Sequence, residues 1–220
     1  MDLSPLWISL KIAAGATIIT FVLGIIVARA VSNMKRGKAI VDSIMSIPLV
    51  LPPTVVGFLV LIAMGSNSFI GKALGSIGID VIFTVWGGII ASTIVSFPIM
   101  YRSTRGAIDQ VDPNLIAVGR TLGMGEWKIF RKVVVPNAWP GIAAATVLSF
   151  ARALGEFGAT IMVAGNIPGK TRTMSVAIYS FMQSGNREKA YVWVGIIVAF
   201  SVTILILMNI FTQSFGRRKK

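Results

Sequence analysis

Arg152 and Glu156 stand inside an otherwise apolar run spanning 140–164. Thr146, Ser149, Arg152, Glu156 and Thr160 follow one another at spacings of three, three, four and four, which on one helix puts all five on a single face. Such a polar face is expensive in hydrocarbon, so it should turn towards a bundle interior or a water-filled cavity. Arg152 and Glu156 lie at i,i+4, where pairing lowers the cost of burying either. Two roles fit. One is a path for an anion, which must release its cargo as readily as it admits it; the other is a structural pair that holds helices together. Ser149, Arg152, Glu156 and Thr160 are therefore candidate pathway residues. Catalysis is poorly provided for, because the chain has no cysteine and no histidine, which removes thiolate nucleophiles, imidazole bases and imidazole metal ligands. The carboxylates are too scattered for a metal cluster or an activated nucleophile. The phosphate-cradling pattern G-x-x-x-x-G-K-[ST] is missing as well, so any ATP chemistry belongs to a partner. No catalytic residue, no metal site and no resident cofactor is expected.

The elements that hold these groups are membrane helices. Of 220 residues 55% are hydrophobic and 13% charged, too little polar surface to solvate a soluble domain of this size. A crossing helix needs about 20 largely apolar residues. Uncharged runs at 12–28, 43–71, 81–101 and 191–216 meet or approach that length, and 140–164 adds a fifth. The reading is an all-α integral membrane protein, one transmembrane domain over 1–220, with spans near 8–31, 42–65, 81–103, 138–164 and 191–215. The first span lacks a basic leading region and is expected to be retained, not removed as a signal. Fourteen basic residues follow the first span, fill the loop after the third or close the chain, against six on the other side. That bias puts the amino terminus outside and the carboxyl terminus in the cytoplasm. It also accounts for most of the net charge of +13 by topology and lipid headgroups, with no nucleic acid implied. Pro48, Pro52 and Pro53 interrupt the second span and free backbone carbonyls, so Pro52, Pro53 and Thr54 are candidate gate residues. Ala151, Gly155 and Ala159, and Gly87 or Gly88 with Ala91 or Ser92, offer small-residue seams for close helix packing.

Between the third and fourth spans, 104–137 is too long for an unstructured connection. Asp112 followed by Pro113 is a helix start, a carboxylate cap with proline where its missing N–H costs nothing. Gly123 should stop that helix in the left-handed conformation, Gly125 adds a second break, and a further helix begins near Glu126. Pro136 and Pro140 are expected to end it. Trp127, Phe130 and Val134 recur at helical spacing as its packed face, with Lys128, Arg131 and Lys132 around the rest. A hairpin lying on the membrane surface is the alternative reading of this loop.

The loop resembles the signature of importer-type ABC permeases, E-A-A-x3-G-x9-I-x-L-P, which that family uses to dock an ATPase. Ala117, Val118 and Gly119 take the first three positions, Gly123 the central glycine, and Val133, Val135 and Pro136 the end. Ala117 stands where the family carries an acid. Docking should then rest on shape and apolar contact around Gly123, Met124, Gly125 and Trp127, with Arg120 or Glu126 supplying charge. Two further segments, SIPLVLPPTVVGFLVLIAMG at 46–65 and LGEFGATIMVAGNIPGKTRT at 154–173, resemble permeases of molybdate ABC transporters. Sulfate permeases share the GEFG-like turn but differ around 166–173, and tungstate is not separated from molybdate. The resemblance implies a type I importer permease fold and a multi-pass subunit of the cell membrane. It also implies a homodimer, two ATPase subunits carrying ATP and Mg, an external binding protein, and molybdate or tungstate as cargo. An ATP-independent channel or secondary carrier is the rival reading.

Overall fold

The computed structural model describes residues 2–78 and 80–217, with side chains described as far as 206. Among them the chain is helical throughout, without strands. Helix α1 (Ser4–Ser32) starts on Asp2, whose carboxylate accepts from the Ser4 N–H at 2.9 Å, with Pro5 in the first turn. Its 29 residues span roughly 43 Å, more than a bilayer core. Ile8, Ile12, Ala16, Thr20, Gly24 and Ala28 form its buried stripe, while Trp7, Ile18, Val22 and Ile26 stay exposed.

Helices α2 (Lys38–Val50) and α3 (Pro53–Met64) were expected as one span with a kink; they are instead separate helices bent by 104°. Leu51 and Pro52 each precede a proline and are extended, with ψ of 138° and 135°, because the following ring excludes the helical conformation. After the short α4 (Phe69–Gly75), α5 (Val85–Asp109) runs parallel to α1. A Cβ on Gly15 would lie 2.9 Å from Ile89, one on Gly24 2.7 Å from Met100, and one on Gly88 2.6 Å from Ile12. Absent side chains are what let these two helices approach. Ser92, Thr93 and Ser96 are buried on α5, which makes it less apolar than Ser4–Ser32, Glu126–Leu154 and Arg187–Ile206, the described helices that on their own are long and apolar enough to cross a membrane.

Helices α6 (Pro113–Thr121) and α7 (Glu126–Ile129) form the hairpin, and the chain then passes through a π-helical turn, Phe130–Val134, into α8 (Val135–Leu154). Pro136 and Pro140 do not end the helix as expected. Proline brings no N–H to the ladder, and the wider π turn precedes it, where the Asn137 side chain donates to the Val133 carbonyl at 2.8 Å. The same helix stops earlier than expected, at Leu154 rather than near 164. Gly155, Glu156 and Phe157 break it, and α9 (Gly158–Val163) restarts from the Glu156 carboxylate, which accepts from the Ala159 N–H at 2.8 Å. Thr160 therefore does not share a helix with Ser149. The proposed seam of Ala151, Gly155 and Ala159 is likewise split.

Ala159 meets α3 instead. A Cβ on Gly57 would lie 2.8 Å from the Ala159 Cα and 2.9 Å from its carbonyl oxygen, backbone that cannot yield. Gly57→Val should lower stability by about 1–3 kcal/mol through this overpacking, read as a lower unfolding midpoint in detergent, whereas Gly75→Ala, with nothing within 4 Å of its Cβ, should be silent. Helices α10 (Met174–Gln183) and α11 (Arg187–Arg217) complete the chain. Met174, Ala177 and Trp193 close a core with Ala13, Ala16 and Leu154.

Candidate functional site

Two groups of predicted residues come together in space. The first is the hairpin. Asp112 caps α6 by accepting from the Asn114 N–H at 2.8 Å. Gly123 takes φ +70°, a conformation that costs glycine little, and the chain reverses as the Met124 N–H donates to the Gly119 carbonyl at 3.0 Å. Gly119 is buried, and a Cβ there would lie 3.1 Å from the Ile129 side chain. Gly125 is the extended residue before α7. The turn end is fastened by a fork: Arg120 Nε and a terminal guanidinium nitrogen donate to the two Glu126 oxygens at 2.7 and 3.3 Å. The hydrogen bond from Arg120, aided by its charge and that of Arg29, holds the Glu126 carboxyl below its usual range, and the same bond raises Arg120.

Outside the fork, Leu115, Val118, Leu122 and Trp127 are exposed, Leu122 to 73%. Ala117 is exposed as well, and Pro136 is exposed in the first turn of α8. Beneath, Ile129, Phe130 and Val134 pack on Met100, Val111 and Ala138. Trp127 was expected in that packed face with Phe130 and Val134; it is 61% exposed, and Ile129 takes the buried place. Its ring stacks on Phe130, and the guanidinium of Arg29 lies 4.4 Å from both ring centroids. Sequence reading used Arg29 only as a topology marker, and nothing local ties it to residues so distant in the chain.

The second group surrounds the break between α8 and α9. Arg152 donates to Glu156 at 2.6 Å, with side-chain exposures of 31% and 1%. Since the other Glu156 oxygen caps α9, both its oxygens are engaged and Glu156 offers little to a passing ligand. Arg152 is the more open partner. Pro53 and Thr54 sit against Gly158, where a Cβ would be 3.1 to 3.2 Å from them, so the bend between α2 and α3 rests on the start of α9 and joins the two candidate gate segments. Pro52 and Thr54 are exposed beside it. Ser149 lies 3.3 Å from Thr20 Oγ1 and donates to the Ser96 carbonyl at 3.4 Å, and Thr160 meets Ser92 at 3.5 Å. These two hydroxyls are buried between helices and serve packing. The Thr146 hydroxyl donates to the Ile142 carbonyl at 2.8 Å.

A third cluster was missed. Asp42 on α2 pairs with Arg105 and accepts from Tyr101, while Asp109 pairs with Lys38 at 3.4 Å and accepts from Ser32 at 2.8 Å. It ties α1, α2 and α5 together beside the hairpin. The i,i+4 spacing of Arg105 and Asp109 was readable; the partners on other helices were not. At the opposite end of the bundle, 166–173 folds as a tight turn whose Ile167 carbonyl accepts from the N–H groups of Lys170, Thr171 and Arg172 at 3.0 to 3.1 Å.

The family described as binding-protein-dependent transport system inner membrane component matches residues 20–220. YvgM of Bacillus subtilis (strain 168), whose name assigns it to a molybdenum transport system permease, is 42% identical over 94% of this chain and 92% of that protein. The molybdenum transport system permease protein ModB of Escherichia coli (strain K12) is 40% identical over 96% and 93%. The sulfate transport system permease protein CysT of the same organism is 32% identical over 96% of this chain and 76% of its own length. Among solved structures, a MetNI methionine ABC transporter chain superposes with TM-score 0.73 at 18% identity, over 96% of this chain and 94% of that one. A bacterial alginate ABC transporter chain does so with TM-score 0.76 at 17% identity, over 97% and 78%.

Proposed function

This chain belongs to the family of binding-protein-dependent transport system inner membrane components, and on that premise we propose that it is the permease of an ATP-driven oxyanion importer whose cargo is molybdate. The observation that carries the mechanism is the hairpin: an exposed apolar tip, closed by the fork of Arg120 and Glu126, that continues without interruption into a membrane-crossing helix, Glu126–Leu154. A push on that tip moves a helix whose far end carries Arg152, paired with Glu156 in the break just beyond it. Two copies of the chain would frame one pathway, each hairpin gripping an ATPase subunit that supplies ATP and Mg, with α5 and the bent pair α2 and α3 also crossing the bilayer. The basic clusters put the hairpin and carboxyl terminus in the cytoplasm and the amino terminus outside, where a binding protein delivers the anion. Molybdate is favoured over sulfate because identity is higher to the permeases named for molybdenum. Arg152 then contributes a partly screened positive charge to the path, weak enough to let a dianion leave.

The test is reconstitution in liposomes with the cognate ATPase and binding protein, following radiolabelled molybdate. Uptake should require ATP and be competed by tungstate more strongly than by sulfate. Uptake that persists without ATP would establish a channel or secondary carrier instead, and preferential competition by sulfate would reassign the cargo.

A further inference from the structure

Arg29 occupies the last turn of α1. Its guanidinium faces Trp127 and Phe130 at equal distance, between rings whose centroids are 5.9 Å apart. It also lines, with Ser32, Arg120, Glu126, Ile129 and Phe130, a cleft of about 220 Å³ under the hairpin. A guanidinium stacked on two aromatic faces in a partly desolvated cleft is a firmer link than an exposed ion pair. The hairpin is thus joined through the chain to α5 and α8, packs on Met100 of α5, and is fastened through Arg29 to α1.

Helix α1 is itself held at two further levels. Thr20 meets Ser149 mid-helix, one turn from Arg152, and at the far end the Ser9 hydroxyl accepts from the Met174 N–H at 2.8 Å, at the start of α10. Between these points Gly15 and Gly24 pack it closely on α5. A helix gripped at both ends and the middle moves as one body.

We propose that Arg29 is a positioning residue that makes α1 a further line of transmission, carrying displacement of the hairpin to Ser149 and to the turn before α10. The inference rests on the importer reading. Without Arg29 the hairpin would still drive α8 through the chain, but the cytoplasmic end of α1 would follow only through its packing on α5 and α8, and the two ends of the pathway would lose step.

The experiment compares wild type, Arg29→Gln and Arg29→Lys in the complete complex in liposomes, with molybdate uptake and ATP hydrolysis measured on the same vesicles. Arg29→Gln should lower the ratio of molybdate taken up to ATP hydrolysed about tenfold, within the range a lost coupling contact produces. Arg29→Lys, which keeps a cation over the rings, should recover a large part of that ratio. Hydrogen exchange in the full complex adds a readout that does not depend on turnover: residues 113–134 should exchange faster in Arg29→Gln while α5 and α8 stay protected. An unchanged ratio, a parallel fall of uptake and hydrolysis, or no difference between Gln and Lys would overturn the proposal. Should Arg29→Gln fail to assemble, Phe130→Leu, which takes one of the two rings from under the guanidinium, should lower the same ratio, and an unchanged ratio there would overturn the proposal. A wild-type complex without ATP-driven uptake refutes the importer reading before any variant is read.

Discussion

Glu156→Ala is expected to destabilise the protein by about 3–5 kcal/mol, the cost of breaking a buried ion pair by removing one partner, and to abolish uptake. The carboxylate bonds Arg152 at 2.6 Å with one oxygen and the Ala159 N–H at 2.8 Å with the other, and its side chain is 1% exposed. Its loss strands a cation within a membrane helix and removes the cap of α9, a further contribution of about 1 kcal/mol. The double variant Arg152→Met with Glu156→Gln separates the two roles. The glutamine oxygen keeps the cap, no unpaired charge is left, and thermal stability in detergent should return to within about 1 kcal/mol of wild type. If Arg152 attracts the anion, molybdate uptake will stay at least tenfold down in this stable double variant. Uptake restored along with stability would make the pair purely structural.

The local punctuation of the hairpin was legible because it is local. Asp112 with Pro113 starts α6 and Gly123 ends it, each by the backbone geometry its own chemistry permits. The small-residue seam of Gly88 on α5 was legible for the same reason. What escaped were features decided by a register or by another helix. Trp127 and Val134 are seven residues apart and would share a face of a regular α-helix. The π turn at Phe130–Val134 shifts the register by about one residue, or roughly 100°, turning Trp127 outward and Ile129 inward. The stripe through Ser149 and Thr160 assumed one helix; the break at Gly155–Phe157 divides it, though both hydroxyls still reach α5. Arg29 between two rings and Asp42 beside Arg105 depend on chain segments brought together only by the fold. For Ala117 the deviation from the family pattern leaves the fold of the hairpin itself untouched, since the residue is exposed on α6.

Leu122→Asp is expected to weaken association with the ATPase by about a hundredfold or more, as truncation of an interface anchor does, while leaving the unfolding midpoint of the permease within the small range of a surface substitution, about 0.5 kcal/mol. Leu115 and Val118 on α6 and Leu122 in the turn that follows it are exposed to 44%, 56% and 73%, an apolar stripe turned away from the hairpin's own core. Buried Gly119 and the fork of Arg120 and Glu126 fix how that stripe is presented. A carboxylate at its most exposed point would either lose its water against the ATPase or hold the surfaces apart, and both outcomes oppose docking. Gly123→Val should lose association too, but for a different reason: its φ of +70° is strained for a β-branched residue, so the hairpin itself should loosen, visible as faster hydrogen exchange in 113–126. Ala117→Glu, which introduces the family's acid at this exposed position, should retain or tighten binding. Copurification of each variant with the ATPase, read beside its unfolding midpoint, separates a lost contact from a lost shape. Association that survives Leu122→Asp at full strength would move the grip away from the stripe and onto the charged fork.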